Sequence, residues 1–194
     1  MNFVVTATSA LFLLPEPVTC FRCASYNQKQ TFHLSQDASL VILDWITSGR
    51  KSLGEEWVFS RYYSVNEVWV EGKKIAKDVM LLDDDEIDVK QLPRRILSDR
   101  LAPYSCYATV ILYGPLIQPA IRDLATQYES ISVFKTAVPA ELIWSLSPIS
   151  SGATNGAVVR VAGKETESVK HWLGNALKRL ELVVGIDVYR KAFT

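Results

Sequence analysis

Histidine and cysteine are scarce in this chain. Two histidines and three cysteines among 194 residues supply few soft or borderline donors for a tightly held transition metal. The cysteines, Cys20, Cys23 and Cys106, are too few and odd in number for a disulfide scaffold, so a reducing compartment, the cytosol, is expected. Charge of either sign is also missing as an excess. Lys and Arg total 21 and Asp and Glu total 21, and without a basic surplus no nucleic-acid partner is expected. No run reaches the ~18–20 apolar residues of a membrane span. The opening "MNFVVTATSALFLLPEPV" lacks a basic n-region and is interrupted by Pro15 and Pro17, which argues against a secretory leader. A near-neutral surface does little against self-association, so a standing partner or poor solubility is expected.

What remains is an ordinary globular composition, 48% hydrophobic and 22% charged, at a length that predicts one domain over residues 1–194 with a real core. Most of the chain reads as strand. "SLVILDWI" (Ser39 to Ile46) is continuously apolar, as in a strand covered on both faces. "VNEVWVEGKKIAKDVMLL" (Val65 to Leu82) predicts a hairpin turning at Glu71-Gly72. "YSCYATVILYG" predicts another strand, ended by Gly114-Pro115. "LIWSLS" and "GAVVRVAG" predict a pair joined by the loop "PISSGATNG".

Two segments read as helices. "PAIRDLATQYES" starts on Pro119, with Ile117, Ile121, Leu124, Ala125 and Tyr128 as an apolar stripe. The second carries Val169, Trp172, Leu173, Ala176, Leu177, Leu180, Val183 and Val184 at 3–4 spacing, with Thr166 as N-cap and Gly185 as the stop. The ordinary destination of both stripes is the face of a sheet. The apolar run begins almost at Met1, and a domain rarely starts in mid-strand, so a preceding N-terminal portion is expected.

Candidate chemistry is thin. "DWITSGRKSLGEEWVF" (Asp44 to Phe59) leaves a strand, breaks at Ser48-Gly49 and returns to a strand at Trp57. Its "GRKS" fails as a phosphate loop, because Arg50 and Trp45 occupy the two positions that need glycine; no nucleotide binding is expected there. Asp44, a carboxylate inside an apolar strand, needs a partner. Arg50 is the candidate, pairing with Asp44 first and Glu55 second. "CFRC" (Cys20 and Cys23) reads as extended, which points the thiols apart and leaves them as small packing residues. His33 shares a face with Lys29 and Thr31, and His171 lies on the polar side of the last helix; both read as solvated. The acidic run "LLDDDEID" (Leu81 to Asp88) does not match a calcium loop and reads as a solvated turn.

The segments "FLLPEPVTCF", "LDWITSGRKSLGEEWVFSRYYSVNEVWVEGK" and "VMLLDD", with Val158 to Val161 ahead of an amphipathic helix, resemble the urease accessory protein D (UreD, or UreH) family over essentially the whole chain. The motif positions here are Asp44, Trp45, Ser48, Gly49, Arg50, Gly54, Glu55, Trp57 and Arg160. The resemblance implies a mainly β fold of stacked, helically wound sheets with two amphipathic helices, shortened at its N-terminus relative to the family. It implies a non-enzyme: a cytoplasmic scaffold for nickel insertion into apo-urease, in complex with UreF and the GTPase UreG, with no tightly bound cofactor and nickel passing only transiently. The helices would face UreF through Ile121, Leu124, Tyr128, Leu173, Leu177 and Leu180, some of them partly exposed in the isolated chain. The alternative is a metallochaperone that itself holds nickel through Cys20, Cys23, His33 or acidic residues.

Overall fold

A computed structural model of the chain describes residues 1–83, 95–131, 139–151 and 154–193. The part of the acidic run at 84–88 lies outside them. The elements begin with β1 (Asn2–Val5), β2 (Ala10–Leu13), β3 (Val18–Thr19), β4 (Ser25–Leu34), β5 (Ser39–Thr47), β6 (Arg61–Val70) and β7 (Lys73–Asp83). They continue with α1 (Leu97–Leu101), β8 (Cys106–Tyr113), α2 (Gln118–Glu129), β9 (Leu142–Ser151) and β10 (Thr154–Gly163). Last come α3 (Thr166–Ala176), a 3-10 turn (Lys178–Leu180), α4 (Glu181–Val184) and α5 (Ile186–Phe193).

The strands form two sheets. The first runs β1-β4-β6-β7; the second runs β2-β5-β8-β10-β9, with β3 also on β5. The chain passes from first sheet to second and back, and each return lays a strand parallel to its predecessor: β4 on β1, β6 on β4, β5 on β2 and β3. The expected helical winding is therefore present in this part. After β6 the pairings turn antiparallel: β7 on β6, β8 on β5, and β10 between β8 and β9.

Several expectations hold. Every residue of β5 is buried, as a strand sandwiched on both faces requires. Glu71 (φ 47°) and Gly72 (φ 75°) turn the β6–β7 hairpin with two positive φ values, the backbone of a type I′ turn. β9 and β10 pair as expected, but from Leu142↔Gly163 to Ser151↔Thr154, so the ladder extends into most of the predicted loop.

The second helix differs from expectation. Glu165, not Thr166, is the extended residue before α3. The single long helix is broken: α3 ends at Ala176, a 3-10 turn follows, and Gly185 (φ 85°) separates α4 from α5. Gly185 does stop a helix, but another begins immediately after it. The reason is local packing. α5 folds back onto α3, where the Tyr189 hydroxyl donates to the Gly174 carbonyl. A Cβ on Gly174 would stand 3.3 Å from the Phe193 side chain.

The layers are first sheet, second sheet, helices. α2 and α3 rest on β8, β9 and β10. Between them and the second sheet lies an apolar core that includes Val41, Leu43, Trp45, Val110, Leu124, Leu173 and Leu177. The even-numbered residues of β5 face the other way, toward the first sheet, in two further clusters.

Candidate functional site: a polar belt between the sheets

Strand alternation sends Leu40, Ile42, Asp44 and Ile46 of β5 toward the first sheet. Leu40 and Ile42 join a cluster with Phe32, Val68 and Ile111. Ile46 joins another with Trp57, Phe59 and Leu97. Asp44 lies between the two. It is 8% exposed, and its carboxylate accepts hydrogen bonds from three side chains of β6: Tyr62 Oη at 3.1 Å, Ser64 Oγ, and Asn66 Nδ2 at 2.7 Å. A buried carboxylate needs several such donors to offset its lost hydration.

The polar character extends across both sheets. In the second sheet Asp44 lies in register with Thr109, Thr109 with Arg160, and Arg160 with Ser145. In the first, Gln30 lies in register with Asn66, and Asn66 with Asp78. Along β4, Tyr26 Oη donates to Gln28 Oε1 (2.7 Å) and Gln28 Nε2 to Gln30 Oε1 (3.2 Å). Arg160 Nη2 joins the sheets by donating to Asp78 Oδ1 at 2.6 Å. Together these residues make a belt that divides the inter-sheet core into two apolar halves. Beside Arg160 the belt opens into a pocket of about 280 Å³ that includes Met80, Tyr107, Thr109, Ile143 and Ser145 in its wall.

The belt has unused capacity. Asn66 Oδ1 is buried without a hydrogen-bond partner. Burial, and then the charge of Asp44, push the Tyr62 hydroxyl well above its ordinary range and raise that of Tyr26, so both are donors at neutral pH. The belt's side chains present oxygen and nitrogen groups, with no soft sulfur donor among those named.

The expected Asp44–Arg50 pair does not form, because Asp44 is enclosed by β6 while Arg50 lies past the strand end. Arg50 takes the second candidate: its Nε and Nη2 donate to Glu55 Oε2 and Oε1 at 2.8 and 2.9 Å. Its guanidinium lies 4.5 Å from the Phe21 ring centroid. The hydrogen bonds from Arg50 hold the Glu55 carboxyl below the usual carboxylate range. The corner is fastened elsewhere too. Ser48 N donates to the Ser105 carbonyl, Trp57 N to the Ser48 carbonyl, and Lys51 Nζ to Glu165. Gly49 (φ 127°) admits no side chain, since a Cβ would stand 2.5 Å from the Glu55 carbonyl oxygen. Gly54 closes the turn at φ 68°. Trp57 does not start a strand: it has φ 56°, and β6 begins at Arg61. Trp45 Nε1 donates to the Pro15 carbonyl on the helix side of β5.

The proposed metal donors are not assembled. "CFRC" is not extended but turns, with Cys23 at φ 60° and Ala24 N on the Phe21 carbonyl. Even so, Cys20 is buried and Cys23 exposed. His33 lies exposed on the outer face of the first sheet, stacked on Trp69. Burial raises the thiol pKa of Cys20, and that of Cys106 to about 12, disfavouring the thiolate a metal requires. Among the described residues no three His, Cys, Asp or Glu side chains gather to hold an ion.

The helix stripe also needs correcting. Ile121, Leu124, Leu173, Leu177 and Leu180 are all buried in the layer against the second sheet. Of the six expected contact residues only Tyr128 is exposed. The two helical regions do lie together, joined by Arg179 and Asp123. The exposed apolar surface is displaced onto α4 and α5: Leu182 (83% exposed), Val183, Ile186 and Val188. A groove of about 430 Å³ beside it is lined by Gln127, Asn175, Arg179 and Leu182, among others.

Comparison with known proteins follows the same lines. The family model described as UreD urease accessory protein matches residues 1–190. Urease accessory protein 4 of Cryptococcus neoformans var. grubii is 35% identical over 181 residues, covering 89% of this chain and 55% of that protein. Urease accessory protein D of Arabidopsis thaliana is 34% identical, covering 95% of this chain and 67% of its own length. UreD of Sorangium cellulosum is 34% identical, covering 96% and 55%. This chain thus spans a little over half to two thirds of the length of these relatives. The chain belongs to the UreD urease accessory protein family.

Proposed function

We propose that this chain acts in urease maturation as a non-catalytic scaffold that nickel crosses on its way to apo-urease. The observation that carries this reading is the belt anchored on Asp44. A continuous apolar core would stabilise the sandwich more simply than a buried carboxylate with neutral donors. An oxygen-rich seam instead offers a cation successive weak sites. Nickel is cargo here, and loose ligation suits cargo. The scattered Cys20, Cys23 and His33 give the alternative, a chain that stores nickel itself, less support.

The apolar α4–α5 surface with Tyr128 is the docking face for UreF in this reading, in place of the buried stripe. Nucleotide hydrolysis falls to UreG, since the Arg50 corner has no phosphate cradle. The complex works in the cytoplasm, and no helix among the described residues is long and apolar enough to cross a membrane.

Activation of apo-urease by nickel, with UreF and UreG present, tests the reading. Activation should depend on this chain. Calorimetric titration of the isolated chain with nickel should show no stoichiometric site. A tight one-to-one site with nitrogen or sulfur ligands would favour storage, and activation independent of the chain would contradict the scaffold.

A further inference from the structure

The helices cover one outside face of the sandwich; the outer face of the first sheet lies on the opposite side. Register places Val4, His33, Trp69 and Lys74 in one row across it. Thr31, Glu67 and Lys77 form the next, and Lys29, Val65 and Val79 a third. Arg61 and Asp83 pair further along.

In a chain of zero net charge, the described residues of this face include four cations, Lys29, Arg61, Lys74 and Lys77, against two carboxylates. One of those, Glu67, is 8% exposed. Lys74 Nζ (3.0 Å) and Lys77 Nζ (3.4 Å) hold it, and the hydrogen bond from Lys74 keeps its carboxyl below the usual range. The negative charge is thus beneath the lysines, and the ammonium groups form the outer layer. Apolar residues are exposed on the same face: Val79 in the Lys29 row, Leu81 between that row and Arg61, and Val4 (78% exposed) at the β1 edge. The aromatic floor is ordered, with Lys74 Nζ 4.8 Å from the Trp69 ring centroid and Arg61 4.9 Å from that of Tyr63. Ordered cations lose less entropy on binding than free ones.

We propose that this face docks a carboxylate-rich surface of a protein partner. Charge complementarity selects the occupant. Exposed valine and leucine on the same face as the cations suit a protein surface, which offers carboxylates and side-chain methyl groups together. A nucleic-acid backbone would leave those apolar residues unmatched. The proposal rests on the charge of this face and not on the nickel reading. It gives the sandwich a second docking side, opposite the apolar α4–α5 surface.

The probe is fluorescein-labelled poly-L-glutamate, titrated with the full chain at low salt and followed by anisotropy. Saturable binding that weakens as salt rises is expected. Lys29→Glu with Arg61→Glu should weaken it by about tenfold or more. Lys74→Gln, Lys77→Gln and Glu67→Gln together remove the cations without stranding Glu67, and should also weaken it. Arg122→Glu with Lys170→Glu, in the helical layer, should change nothing; circular dichroism melts check the fold of each variant. Three results would overturn the proposal: no saturable binding by the unchanged chain, equal loss in the helical-layer control, or tighter binding of a labelled single-stranded oligonucleotide with the same dependence on Lys29 and Arg61.

Discussion

The two faces of β5 have opposite jobs. Its odd residues Val41, Leu43 and Trp45 enter a mainly apolar layer closed by α2 and α3. Its even residues enter a layer that Asp44, Tyr62, Ser64 and Asn66 cut in two. Hydrophobic burial explains most of the first face. It does not explain the second, where a carboxylate is desolvated and then hydrogen-bonded at some cost. The helix side holds the fold together, and the inter-sheet side spends stability on polarity. That contrast is the ground on which the proposed function rests on the belt and not on the helix stripe.

The largest expected effect breaks the belt. Asp44→Ala leaves three buried donors without their acceptor and should destabilise the chain by about 3–5 kcal/mol, read from urea unfolding. Next is the opposing face. Leu173→Ala removes fully buried packing and should cost about 2–4 kcal/mol, without altering events at the belt. A loss for Leu173→Ala much larger than for Asp44→Ala would reverse the contrast.

The Arg50–Glu55 corner should give a smaller effect that depends on pH. Arg50 depresses the Glu55 carboxyl pKa, and a depressed carboxyl stabilises the fold at neutral pH. That contribution disappears as pH falls through the usual carboxylate range and below the folded value. Arg50→Ala should therefore cost stability at neutral pH and little in acid, flattening the acid limb of the stability profile. An equal loss at both ends would show that the guanidinium acts through packing on Phe21. The smallest effect belongs to α4–α5. Leu182→Glu and Val188→Glu alter exposed positions and should change stability by under about 0.5 kcal/mol.

Much of this architecture is legible in the sequence. The unbroken apolar run of β5, the Glu71-Gly72 turn and the Pro119 helix start are local signals, and each appears where the pattern puts it. The belt is harder to see. On β6 the inward side carries Tyr62, Ser64 and Asn66 ahead of Val68 and Val70, and the outward side carries Tyr63, Val65 and Trp69 beside Arg61 and Glu67. Alternation gives the period of a strand but not which face is buried. That choice is fixed by the facing sheet, where Asp44 supplies the acceptor. The same limit misplaced Arg50, nearest to Asp44 along the chain but turned away by Gly49. The helix break was hidden for another reason: 3–4 spacing continues through Leu177 and Leu180, while the bend depends on α5 returning over Gly174.

Two variants measured side by side separate the belt from the outer helix surface. Asp44→Asn, in the belt, and Leu182→Glu, on the outer helix surface, are compared in two assays: nickel-dependent activation of apo-urease with UreF and UreG, and capture of UreF. For folded variants, Asp44→Asn should retain UreF capture and lose most activation, and Leu182→Glu should lose capture and activation together. Full activation by a folded Asp44→Asn chain would contradict the account, because the belt would then be a structural feature of the sandwich and not a path for the ion.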